Sequence, residues 1–162
     1  MLTLESHITV HGVAPEQITA FMLDPADDRY QAWWPGTHLE FHPLRVAPRA
    51  DHVGDVVWMD EYVGGRRLRM RAVVSEAVPG RRIVWRMRPL RLPVPVHLVL
   101  ELDQAEDGVR LRHALTCGWS GPGRVLDPLW RLYFSRRFAS ELDEHARTEF
   151  PRLADLLRSQ AV

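Results

Sequence analysis

One cysteine, Cys117, is the only thiol in this 162-residue chain. An intramolecular disulfide and paired-cysteine metal motifs are therefore ruled out, and a reducing, cytoplasmic setting is the expectation. Lysine is missing altogether, so the 21 basic residues are all arginine, and 21 acidic residues balance them. A formal net charge of zero supplies no global field toward nucleic acid or an anionic surface, and neither partner is expected. No apolar run approaches the ~18 residues of a membrane span. The opening MLTLESHITV lacks both a basic n-region and an apolar h-region, so no secretory signal is expected. Gly-rich phosphate loops and a nucleophile elbow are also missing. The motif content thus implies no organic cofactor and no metal. The length suits one domain over 1–162 with a substantial core. Oligomeric state is left open.

What is present is alternation, then helical periodicity. Leu2 to Val10 reads as a half-buried strand with Leu2, Leu4, Ile8 and Val10 on one face. Gly12 ends it, and two short helices come next, one opening at Pro15 and one from Ala26 to Trp33. Three turn signals then set the register of a meander. Gly64-Gly65 places Tyr62 opposite Arg67, Asp60 opposite Arg69, and Glu61 with Leu68 on the other face. Pro79-Gly80 places Val74 opposite Trp85 and Ala72 opposite Met87. The turn at Ala105 to Gly108 places Leu102 opposite Leu111, Leu100 opposite His113 and Glu101 opposite Arg112. Each turn, chosen by residue type alone, puts apolar pairs on one face and opposite charges on the other. From Asp127-Pro128 to about Ser159, apolar residues recur at helical spacing, which predicts a helix of roughly thirty residues, about 45 Å long. Its stripe Trp130, Phe134, Phe138, Leu142, Ala146, Phe150 steps by four, so a bend near Pro151 or a curved sheet is needed to keep it on one surface.

The arginine-rich strands admit two readings, a nucleic-acid surface or a solvated face of cross-strand ion pairs. The pairing of Arg69, Arg110 and Arg112 with acids favours the second. His38, Glu40 and His42 alternate on a strand and are a weak candidate for zinc, since the same pattern describes a solvent-facing strand with Leu39 and Phe41 turned inward. His113 lies between Leu111 and Leu115 on the inner face, where an imidazole either meets a ligand or is satisfied by backbone. Glu61 is inward by register, or else snorkels outward near the sheet edge. If the chain is an enzyme, His113 is the best acid/base candidate, assisted by Glu61 or Tyr133. Cys117 lies some 13 Å along the same strand from His113, too far for a dyad. The bulky inward set from sheet and helix suggests an adaptable apolar pocket: Met59, Met70, Trp85, Met87, Leu98, Leu100, His113, Leu115, Trp130, Tyr133 and Phe134. Arg137 and His145 are placed toward its rim.

The order is strand, two short helices, six hairpin-linked strands and a long terminal helix. Together with FMLDP (21–25), YQAWWPG (30–36), RIVWRM (82–87) and HARTEFPRLADLL (145–157), it resembles the START/Bet v 1-like (SRPBCC) superfamily. The nearest likeness is to the polyketide cyclase/dehydrase and lipid-transport-like group. The resemblance covers nearly the whole chain. It implies an α+β helix-grip fold, a seven-stranded antiparallel sheet wrapped around the C-terminal helix, with a cavity between them. It also implies that the cavity binds or transports a hydrophobic or aromatic small molecule. Alternatives within the superfamily are a polyketide cyclase/dehydratase-type enzyme using the same cavity, or a co-chaperone-like interaction module. The last would present an exposed apolar patch, with Pro89 to Pro95 as its expected location.

Overall fold

The computed structural model describes residues 1–88, 95–119 and 121–160. Strand β1 (Leu2–His11) is followed by helices α1 (Pro15–Leu23) and α2 (Asp27–Trp33). A meander comes next: β2 (His38–Arg45), β3 (Val56–Val63), β4 (Arg66–Val78), β5 (Arg82–Arg88), β6 (Val96–Ala105) and β7 (Gly108–Cys117). A 3-10 turn (Gly121–Leu126) leads into α3 (Asp127–Tyr133) and α4 (Arg136–Gln160). The seven strands make one sheet in the order β1-β7-β6-β5-β4-β3-β2, antiparallel throughout. The long helix α4 packs chiefly on β1, with further contacts to α1, α2 and β3. This is a helix-grip fold, with the short helices between the first two strands. Among the described residues, no helix is long and apolar enough to cross a membrane. Most of the proline-rich segment considered above as an interaction patch, residues 89–94, lies outside the described residues.

The turns act as their residue types require. Gly64 takes a positive φ of 58°, and β3 and β4 pair with Asp60 opposite Arg69 and Glu61 opposite Leu68. Between β4 and β5 the connection has three residues, because Val78 faces Arg82. An extra residue in β4, Ser75, cancels that slip, so Val74 still meets Trp85. In the last hairpin Leu102 faces Leu111 and Leu100 faces His113. On the outer face Arg112 donates to Glu5 and Glu101, and Arg82 donates to Glu76 and Glu101. That sheet face is therefore laced with charge pairs, each worth little alone.

The terminal helix differs from its sequence-based description. It is not one run of about thirty residues: α3 ends at Tyr133, and α4 starts afresh at Arg136. The Phe138 amide donates to the Ser135 hydroxyl at 3.2 Å, the bond of an N-cap serine, and the Ala139 amide donates to the Ser135 carbonyl. The reorientation at Ser135 reconciles the four-residue aromatic steps with a curved surface. Pro151 sits inside α4 and does not end it.

Asp60 is the most heavily committed outer-face acid. Its side chain is 3 % exposed, accepts two hydrogen bonds from Arg67 (2.8 and 2.7 Å), and pairs with Arg69 at 3.3 Å. The Arg67 hydrogen bonds lead the effects that hold its carboxyl below the usual range, with burial opposing them. A depressed folded pKa contributes stability above the unfolded value of about 3.9 and loses it as pH falls through the folded value. Asp60→Asn is expected to cost about 1.5–3 kcal/mol at pH 7 in urea unfolding. The cost should shrink as pH falls below the unfolded carboxyl value and through the folded one, and a pH-independent cost would count against this ion-pair account.

Candidate functional site

A cavity of about 650 Å³ separates the sheet from α3 and α4. Its walls arise from the two-residue period of the strands: Met59 from β3, Met70 from β4, Trp85 and Met87 from β5, Leu98 and Leu100 from β6, and His113 and Leu115 from β7 all point to it. The helical side contributes Trp130, Tyr133 and Phe134 from α3 and its end, and Phe138, Leu142 and Phe150 from α4. Every side chain assigned to the pocket from sequence lines this cavity. The depth differs among them. Trp85 and Leu100 are fully buried, whereas Tyr133 is 55 % exposed at the mouth, where the Arg66 guanidinium lies 5.5 Å from its ring centre. Cys117 is buried, and burial pushes its thiol up to about 12, so it is held as a thiol.

The inner end is polar, which the residue pattern did not announce. His38, Glu61, His145 and Glu149 converge there from β2, β3 and α4. The i,i+4 spacing stacks His145 and Glu149 on one face of α4, with Nε2 3.3 Å from a Glu149 carboxylate oxygen. His38 Nε2 lies 3.4 Å from the same oxygen and 3.8 Å from Glu61, and His145 Nε2 also lies 3.8 Å from Glu61. Tyr30 on α2 donates its hydroxyl hydrogen bond to Glu61 at 2.6 Å. Trp33 donates to the Glu149 carbonyl at 2.6 Å, tying α2 to α4. Aromatic rings brace the imidazoles: Tyr30 stacks on His38 at 4.0 Å, and Trp34 stacks on His145 at 4.8 Å.

His38 reaches this cluster through a β-bulge. It pairs with Glu61, but Glu40 pairs with Asp60, so Leu39 is an extra residue that reverses the facing of the strand beyond it. The grouping of His38, Glu40 and His42 is corrected on this point: the bulge separates them. His38 is buried inside, whereas Glu40 accepts from the Trp58 indole and His42 meets Asp27 at 2.9 Å, both away from the cavity. Glu61 faces the cavity and does not snorkel outward. His145 belongs to the inner end and not to the rim, and Arg137 is exposed and paired with Glu141. The missed signal was the combination His145-x-x-x-Glu149 on the helix with a histidine directly opposite an inward glutamate.

The electrostatics derive from burial and proximity. Burial opposes charge on His145, but the carboxylates of Glu149 and Glu61 close beside it outweigh that and lift its pKa to about 10. Burial also opposes charge on Glu149 and Glu61, yet the imidazoles, His145 foremost, hold both carboxyls below their ordinary values. Burial, reinforced by Glu61, keeps the Tyr30 phenol far above its normal range. His113 is pushed down by burial, so it is predominantly neutral near pH 7. The cavity thus pairs a broad apolar wall with a compact charged end.

Tyr30→Phe deletes the donor to Glu61 while retaining the stack on His38. It is expected to lower the unfolding free energy by about 1–3 kcal/mol, read from denaturant midpoints at constant m-value. A variant as stable as the parent would show that Glu61 does not depend on that bond.

No protein-family model matches the chain, and no curated protein does. Solved structures do match over nearly its full length. The protein TTHA0849 from Thermus thermophilus superposes with a TM-score of 0.63 at 11% identity, covering 99% of this chain and 100% of that one. The Aha1 dimer protein from Colwellia psychrerythraea gives 0.52 at 15% identity, covering 92% and 98%. Ara h 8.0201 gives 0.52 at 12% identity, covering 89% and 96%. Identities this low speak to the fold alone.

Proposed function

We propose that this chain, which has the START/Bet v 1-like (SRPBCC) fold, binds a hydrophobic or aromatic small molecule in the cavity between its sheet and its terminal helices. The observation that carries the reading is the cavity itself: about 650 Å³ behind methionine, leucine and tryptophan side chains supplied by five successive strands and the helices. That volume is in the range of small-molecule sites. Methionines make such a wall adaptable to more than one shape. The indole N–H groups of Trp85 and Trp130 are buried without a partner, and each would gain from an acceptor on the ligand. A mostly apolar ligand with one or two oxygen acceptors satisfies both features. Sugars and nucleotides fit poorly, because each polar group buried without a partner costs about 1–3 kcal/mol. The whole chain acts as one domain in this proposal, and His113 contributes a polar contact from β7.

An environment-sensitive naphthalene dye is the direct probe. It is expected to bind with micromolar affinity and to be displaced by aromatic or acyl-chain compounds but not by nucleotides. Leu98→Trp, which adds bulk to the cavity wall, should weaken dye binding at least tenfold, about 1.4 kcal/mol. His113→Ala should weaken only ligands that carry an oxygen acceptor. Dye affinity unchanged by Leu98→Trp, or tight nucleotide binding in its place, would refute the assignment.

A further inference from the structure

We propose that His38, Glu61, His145 and Glu149 bind one divalent transition-metal ion of the zinc type at the inner end of the cavity. The chain carries no recognised metal motif, and the weak zinc candidate of the sequence, His38 with Glu40 and His42, shares only His38 with this cluster. The inference rests on geometry that folding creates.

The first observation is convergence. Among the described residues, these four each offer one ligand atom, all within 4.8 Å of one another. The imidazole-to-carboxylate separations are 3.3, 3.4, 3.8 and 3.8 Å. In a tetrahedral zinc site with bonds of about 2.0–2.1 Å, the edges between ligand atoms measure roughly 3.3–3.4 Å. Four of the six edges of such a tetrahedron are therefore within about half an ångström of the required length, and the nitrogen–nitrogen and oxygen–oxygen edges lie within 4.8 Å, so an ion would draw the four groups inward.

The second observation is that neither nitrogen makes a well-formed hydrogen bond, although carboxylate oxygens lie 3.3–3.8 Å away. His38 Nε2 and His145 Nε2 are buried without a hydrogen-bond partner, their side chains 0 % and 5 % exposed, and both aim at the shared carboxylate oxygens. Buried polar atoms in native proteins are overwhelmingly satisfied, so two orphaned imidazole nitrogens at one point call for an explanation. A cation at the centre supplies it for both. Charge gives a third argument. Without an ion the charged His145 offsets part of the carboxylate charge; a divalent ion that displaces its proton would leave two carboxylates and two neutral imidazoles, a site of net charge zero.

The support is that of a built site. Tyr30 donates to Glu61, the kind of outer contact that orients a ligating carboxylate, and the Tyr30 and Trp34 stacks fix the ring planes. Two imidazoles with two carboxylates suit zinc among the common ions, being softer than the all-oxygen shells of calcium or magnesium. His38 lies behind the cavity wall, and the other three line it, so the ion would present one side to the cavity. The metal site does not depend on the hydrophobic-ligand reading: either can fail alone.

The test uses the full chain, stripped with a chelator and reloaded with Zn²⁺ or Co²⁺. Elemental analysis should find about one zinc per chain, and zinc should raise the melting temperature. The cobalt form should show the intense visible absorption of a tetrahedral centre. Glu149→Gln and Glu61→Gln should each weaken zinc binding at least tenfold, whereas His42→Gln on the outer face should leave it unchanged. If one glutamine variant fails to fold, the other variant and the parent's stoichiometry and cobalt spectrum still decide. Substoichiometric zinc in the parent, of roughly a tenth of an equivalent at micromolar free metal, would overturn the proposal. So would binding that survives both glutamine variants or vanishes with His42→Gln.

Discussion

One helix cannot cover the inner face of seven strands. Six inter-strand spacings of about 4.8 Å span roughly 29 Å, while a helix with its side chains is about 10–12 Å across. Here α4 commits itself to the β1 side of the sheet, and α1 and α2 lie between the first two strands. Helix α1 reaches β6, but among the described residues no helix packs closely on β4 or β5, and that shortfall becomes the cavity. Large side chains such as Trp85 and Trp130 narrow the space without filling it. The apolar character of the cavity is thus a by-product of normal strand patterning, and its existence is a matter of layer arithmetic.

The polar end is a different kind of feature, because nothing in sheet-on-helix packing demands it. Charged groups inside a protein persist only when they are paired and hydrogen-bonded. The protein commits four elements to this corner: α2 for Tyr30, β2 for His38, β3 for Glu61, and α4 for His145 and Glu149. Replacing them with leucine and phenylalanine would satisfy the fold equally well by volume. Their presence therefore separates what the architecture requires from what the site is for.

The limits of sequence reading fall along the same division. Strand register was legible because it rests on local chemistry: glycine at a positive-φ turn position, and charge opposite charge on the outer face, as between Glu101 and Arg112. The pocket walls were legible for the same reason, since a period of two puts Met59, Met70 and Leu100 on one side once register is known. The placement of His38 was not, because one added residue, Leu39, inverts the face of everything beyond it and leaves no mark in composition. The cluster was invisible for a related reason. Its members are far apart in sequence, and only the pairing of β2 with β3 and the docking of α4 bring them together. The break at Ser135 could have been read: a serine three residues before Phe138, within a stripe that drifts round the helix, is an N-cap signal.

The tryptophans carry a consequence of their own. Trp33, Trp85 and Trp130 line the same cavity while stemming from α2, β5 and α3. Indole emission depends on the polarity and quenching groups around the ring, so half of the six tryptophans report on the cavity. Trp33 lies against the charged end through its bond to Glu149, and Trp130 stacks near the mouth on Trp119 and Phe134. Variants that keep only Trp33 or only Trp130 among the six tryptophans would therefore give each end of the cavity its own optical handle.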